Sequence, residues 1–73
     1  MTHKPGITLT DYPVHDIKTA EVELKDLRID FELFLDGYTA DFIFKDEEER
    51  TLAKLTVFSE YSKCNMSTWE IEV

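Results

Sequence analysis

Polar and apolar residues alternate through two neighbouring runs, Leu27 to Leu35 and Tyr38 to Lys45, with Asp36-Gly37 between them. Alternation sends successive side chains to opposite faces of a strand, and Asp-Gly suits a two-residue type I′ turn, in which both central residues take φ > 0. The runs therefore read as a β-hairpin. On its apolar side Leu35 faces Tyr38, Leu33 faces Ala40, Phe31 faces Phe42 and Ile29 faces Phe44. The other side gathers Asp30, Glu32, Asp36 and Asp41, with Glu32 opposite Asp41, a placement in which like charges repel.

The flanking segments are more ambiguous. Residues 1–6 carry no apolar pattern and read as a loose terminus, whereas Ile7 to Thr10 reads as a short edge strand ended by Asp11-Tyr12-Pro13. Between Val14 and Lys25, Ile17, Ala20 and Leu24 fit a helix, while Ala20, Val22 and Leu24 alternate with Glu21, Glu23 and Lys25 as a strand. The alternation favours a strand over 20–25, and the phase break at Lys25-Asp26 then reads as a β-bulge or tight turn.

Past Lys45, Asp46-Glu47-Glu48-Glu49 precedes a segment rich in Thr, Val, Phe and Tyr, whose propensities favour a strand over 51–61. Laid on the hairpin, that strand pairs Phe42 with Ala53, Ala40 with Leu55 and Tyr38 with Val57, and sets Lys54 beside Asp41. The rival is a helix from Asp46, with an Asp cap and glutamates in its first turn. Ser62 to Asn65 has turn composition, and Trp69, Ile71 and Val73 alternate with acids in a final strand. The fold expected is one mainly β domain: a small antiparallel meander of four to five strands built on the Asp36-Gly37 hairpin, with room for one short helix. An α+β arrangement, with a helix in 14–25 or 46–62, is the alternative.

Charge narrows the choice of partner. Sixteen Asp and Glu against eight Lys and Arg give a net charge of −8, a field that repels nucleic acid and anionic membranes and attracts basic surfaces. An apolar share of 42%, including five Phe, three Tyr and one Trp, exceeds what a disordered acidic tail carries. A lone cysteine, Cys64, cannot close an intrachain disulfide, and no apolar run approaches the roughly 18 residues of a membrane span, so a soluble cytoplasmic protein is expected.

Chemistry-bearing motifs are scarce. His3 and His15 fit no zinc spacing with Cys64, the acidic run at 46–49 lacks the glycine of a calcium loop, and Gly6 and Gly37 suit turns rather than a phosphate cradle. Trp69 reads as a core anchor. The expectation is a protein without catalytic residues, metal or cofactor.

Candidate binding residues are therefore surface acids and aromatics. They are Asp30, Glu32, Asp36 and Asp41 on the hairpin, Phe34 and Phe58 on the same face, and Glu47, Glu48 and Glu49 beyond it. An aromatic centre ringed by charge resembles a protein interface, although a solvated sheet face or a second core layer would also account for these residues. The functional expectation is a non-enzymatic acidic protein-binding module. It would inhibit or modulate a basic nucleic-acid-handling partner by charge mimicry, as small inhibitors of host defence complexes do. The alternative is a structural or assembly subunit that binds through the sheet edges at 7–10 or 67–73 and an aromatic patch.

Overall fold

Two helices interrupt the expected run of strands. The structure, a computed structural model, describes residues 3–61 and 65–72. Its elements are β1 (His3–Thr10), α1 (Val14–Asp26), β2 (Phe31–Asp36), β3 (Thr39–Phe44), α2 (Glu47–Thr56) and β4 (Met66–Glu72), and the 3₁₀ turn Phe58–Glu60 follows α2. The strands form one sheet in the order β2-β3-β1-β4, every neighbouring pair antiparallel. The antiparallel sheet built on the central hairpin is present. With its two helices the class is α+β, a β-α-β-β-α-β arrangement of the ferredoxin-like kind.

The segment 20–25 is helical, not a strand. Ile17, Ala20 and Leu24 are buried at helical spacing, whereas Val22, which the alternation would bury beside them, is 56% exposed. The phase break is the end of this helix. Arg28 takes φ 60°, its N–H donates to the Lys25 carbonyl, and the Ile29 N–H donates to the Leu24 carbonyl. These two bonds make a Schellman cap, with Leu24 and Ile29 both buried, so a change of apolar phase marks a helix stop.

The segment expected as a strand over 51–61 begins as α2. Asp46 caps it, its carboxylate accepting the Glu49 N–H at 2.9 Å, and Glu47, Glu48 and Glu49 sit in the first turn, where the helix dipole favours negative charge. Capping outweighed the β propensity of Thr56, Val57 and Phe58. Ala53, Val57 and Phe58 are buried, while Leu52 and Leu55 remain exposed. The pairings proposed for Ala53, Leu55 and Val57 with the hairpin do not form.

The hairpin keeps its faces but not its register. Asp36 pairs with Thr39, so the turn is Gly37-Tyr38, and Leu33 meets Phe42, Phe31 meets Phe44 and Leu35 meets Ala40. Only Gly37 has positive φ, 60°, in this turn, the pattern of a type II′ rather than a type I′ turn. The Thr39 hydroxyl donates to the Asp36 carbonyl at 2.8 Å across it. Moving the turn by one residue shifts every pair by two. Glu32 now opposes Ile43 and Asp41 opposes Phe34, which removes the repulsion between facing acids.

β1 is interior, flanked by β3 and β4, and it starts at His3, so residues 3–6 are not a loose end and 7–10 is not an edge. The two edges are β2 and β4. Ile7, Leu9, Ala40, Phe42 and Phe44 turn one face of the sheet inward, against Ile17, Ala20 and Leu24 of α1 and Ala53, Val57 and Phe58 beyond. Aromatic rings continue across this layer. Phe42 meets Phe31 at 5.9 Å and Phe58 at 5.2 Å, and Tyr61 stands 5.4 Å from Phe58 and 5.0 Å from Tyr12, all tilted or edge-on. Cys64, expected in a turn, lies outside the described residues.

Candidate functional site, the helix-free face of the sheet

Strand alternation that buries Ile7, Leu9, Ala40 and Phe42 must present their neighbours on the opposite face. Register aligns those neighbours in rows. One row runs Phe34, Asp41, Thr8, Ser67 across the four strands, and the next runs Glu32, Ile43, Gly6, Trp69. Asp36, Thr39 and Thr10 form a third row near the turn, while Lys4 and Ile71 pair at the far end. Both helices pack on the other side.

Trp69 belongs to this face rather than to the core. Its indole lies across Gly6, where an added Cβ would run into the ring. Gly6 is therefore the floor of an aromatic seat, and not a turn residue. The Trp69 Nε1–H donates to the Thr8 hydroxyl at 2.6 Å, and that hydroxyl donates to an Asp41 carboxylate oxygen at 2.6 Å. The chain of bonds joins β4 to β3 through β1 and fixes Asp41 beside Phe34. Arg50 anchors β4 from α2, donating to the Trp69 carbonyl at 3.2 Å and lying 3.6 Å from the Glu70 carboxylate.

The predicted residues separate into three groups. Glu32, Phe34, Asp36 and Asp41 share the helix-free face; Phe34 is 51% exposed, and Asp30 is exposed immediately before β2. Phe58 is not on this face: it is 1% exposed in the helical layer, edge-on to Phe42, because α2 carries it to the opposite side of the sheet. Glu47, Glu48 and Glu49 form the first turn of α2, also away from the face, and Glu47 pairs with Arg50 at 3.2 Å. Lys54, expected beside Asp41, is exposed on α2 instead. Thr8 and Trp69 went unrecognised as members of the face. Gly6 beside an alternating Thr8 and Thr10 was the available signal, since a glycine inside a strand often marks a close approach.

Charge on the face is uneven. Among the described residues none of Asp30, Glu32, Asp36 and Asp41 is held in an ion pair. Lys4 and Lys45 line a shallow hollow of about 290 Å³ with Asp30 and Glu32, so positive charge collects at the end remote from the turn. The turn end, with Asp36, Asp41 and the exposed Phe34 and Tyr38, has no basic residue in its rows.

On the helical side, Tyr12, Asp16, Glu23, Glu60 and Tyr61 border a cleft of about 360 Å³. The Tyr61 hydroxyl donates to the Asp16 carbonyl at 3.0 Å. Burial, with Asp16 and Glu23 nearby, pushes its phenol above the ordinary value of 10.0. Among the described residues no three His, Cys, Asp or Glu side chains converge as a metal site, and no helix is long and apolar enough to cross a membrane.

Comparison with known proteins adds a fold and no activity. No protein-family model matches the chain, and no curated protein matches it. The chain is similar to the crystal structure of the structured domain of Drosophila melanogaster Boca, with a TM-score of 0.72 and 17% sequence identity, over 94% of this chain and 99% of that one. At that identity the likeness establishes the shared fold: a four-stranded antiparallel sheet backed by two helices.

Proposed function

We propose that the chain is a non-enzymatic protein-binding module that meets a basic partner through the helix-free face of its sheet. The observation that carries this reading is the make-up of the face at its turn end. Exposed Phe34 is set beside the fixed carboxylate of Asp41, with Glu32 and Asp36 along the same strand. Protein interfaces combine an aromatic centre with a polar margin in this way. A net charge of −8 steers such a face toward a positive surface. A groove that handles nucleic acid is the natural counterpart, because carboxylates can stand where phosphates would sit. Occupying that groove would inhibit the partner.

The test is retention of basic proteins from a lysate on immobilised chain, followed by elution with heparin or short duplex DNA. Retention is expected to fall steeply between about 50 and about 500 mM salt, as screening shortens the reach of surface charge. It is expected to fall again in Phe34→Ala and in the double variant Glu32→Lys/Asp36→Lys. Asp41 is left intact because it ties three strands together. A retained set that ignores salt, heparin and both variants would overturn the reading.

A further inference from the structure

We propose that the free edge of β2 accepts an added strand from the partner: an extended segment in which Lys or Arg alternates with apolar residues. The inference rests on the basic-partner reading above and adds how the partner is gripped. β2 carries four apolar residues in Phe31–Asp36, yet none of them is buried: Phe31 and Leu33 are half-buried, and Leu35 is 64% exposed. It has one strand neighbour, β3, and stands at the margin of the sheet. A two-residue turn makes Asp36 and Thr39 the hydrogen-bonded pair, so the peptide groups of Leu35, Leu33 and Phe31 point away from β3 toward the open edge. An edge strand of this length with apolar side chains is a template for another chain.

Room exists beside it. A shallow groove of about 430 Å³ runs between α1 and the start of β2, lined by Glu21, Lys25, Ile29, Asp30, Phe31 and Leu33. A strand laid along β2 would put alternate side chains beside Phe31, Leu33 and Leu35 on the helical side, continuing the apolar layer. Its remaining side chains would stand beside Glu32 and Asp36 on the other face, and beside Asp30 at the end. Charge selects the occupant. Asp30, Glu32 and Asp36 carry no ion pair among the described residues, so Lys or Arg on the added strand complements them, most of all at the turn end, remote from Lys4 and Lys45; Lys25 of the groove lies 3.9 Å from Glu21.

A second copy is a poor occupant on the same grounds. In a two-fold antiparallel pairing that keeps the apolar sides together, Leu33 meets its own copy, Phe31 meets Leu35 and Asp30 meets Asp36. Two chains of net charge −8 would thus meet along strands flanked by acids.

The probe is a peptide of about ten residues alternating Lys and Val, enough to span a strand. A Glu-Val counterpart and a Lys-Val peptide of the same composition in two blocks serve as controls. Amide shifts and hydrogen exchange are read on the intact chain at low salt. The alternating Lys-Val peptide is expected to shift and protect the amides of Phe31, Leu33 and Leu35, with the two controls at least tenfold weaker. Leu35→Pro removes an outward N–H at an exposed position and is expected to weaken binding at least tenfold while melting like the parent. The triple variant Asp30→Lys/Glu32→Lys/Asp36→Lys is expected to prefer the Glu-Val peptide, which distinguishes edge pairing from a loss of fold.

Lys-Val binding that shifts Phe34, Ile43 and Trp69 while ignoring Leu35→Pro would overturn the edge inference and leave the basic-partner reading standing. Absence of binding by every basic peptide would overturn both. A dimer of the unliganded chain that Leu35→Pro dissociates would assign the edge to a second copy and overturn the proposal.

Discussion

β2 and β3 are joined by one turn, have six residues each and alternate in the same way, yet only β3 contributes buried residues to the core. Ala40, Phe42 and Phe44 of β3 are at most 1% exposed; Phe31 and Leu33 of β2 are half-buried and Leu35 is largely in solvent. Composition does not explain this, since β2 is no less apolar than β3. Position does. β3 has strands on both sides and lies beneath Phe58, whereas β2 has a strand neighbour on one side only. Alternation decides which side chains share a face, but the connectivity of the whole chain decides whether that face is covered.

The largest effect should separate these two strands. Phe42→Ala removes a ring that touches both Phe31 and Phe58 at the centre of the core and is expected to cost about 3–5 kcal/mol in denaturant unfolding. Leu35→Ala, on the same side of the sheet in β2, is expected to stay within about 0.5 kcal/mol, because its side chain is 64% exposed. Equal losses would mean that β2 is covered in solution, and the contrast between the strands would fail.

A second effect concerns how the helix-free face is organised. Gly6→Ala places a methyl group against the Trp69 indole, in a strand whose backbone is held on both sides. Overpacking of this kind is expected to cost about 1–3 kcal/mol and to change Trp69 fluorescence as the Thr8 hydrogen bond is lost. A variant of full stability and unaltered emission would show that the indole does not rest on Gly6.

Much of this arrangement could be read from local pattern, and the losses have physical causes. The hairpin, its two faces and β4 follow from alternation, and the acidic start of α2 was legible as a capped helix in competition with a strand. The β-rich segment from Thr51 to Tyr61 lost that competition because Asp46 supplies a cap and Ala53, Val57 and Phe58 find a sheet to bury against. Val22 misled in the opposite direction, since an exposed apolar residue in α1 imitates the alternation of a strand. Trp69 and Phe58 exchange expected places: alternation puts Phe58 on the acidic face, and it is core on the helical side; Trp69 reads as a core anchor, and it lies on the open face. Neither position follows from nearest neighbours, because α2 carries Phe58 across the sheet and Trp69 depends on Gly6, sixty-odd residues earlier. Phe58 and the 46–49 run lie away from the acidic face, on which Phe34 keeps Glu32, Asp36 and Asp41 as neighbours.

The smallest effect tests the turn that sets β2 against β3. Nothing lies within 4 Å of a Cβ built at Gly37, so a substitution there meets no neighbour and its cost comes from the backbone alone, at φ +60°. Gly37→Ala is expected to lose about 1–2 kcal/mol. Asparagine separates the two turn types. In a type I′ turn centred on Asp36-Gly37, the glycine would sit in the left-handed helical region that asparagine tolerates, and Gly37→Asn would cost little. In the type II′ turn centred on Gly37-Tyr38, the first central residue takes the conformation reserved for glycine, and Gly37→Asn should cost nearly as much as Gly37→Ala. A cross-strand contact between Phe34 and Asp41, in place of one between Glu32 and Asp41, would accompany the second result. If asparagine restores the stability lost to alanine, and Glu32 lies opposite Asp41, the hairpin has the register its Asp-Gly pair suggests. The acids would then face one another, and the aromatic centre proposed around Phe34 would have to be redrawn.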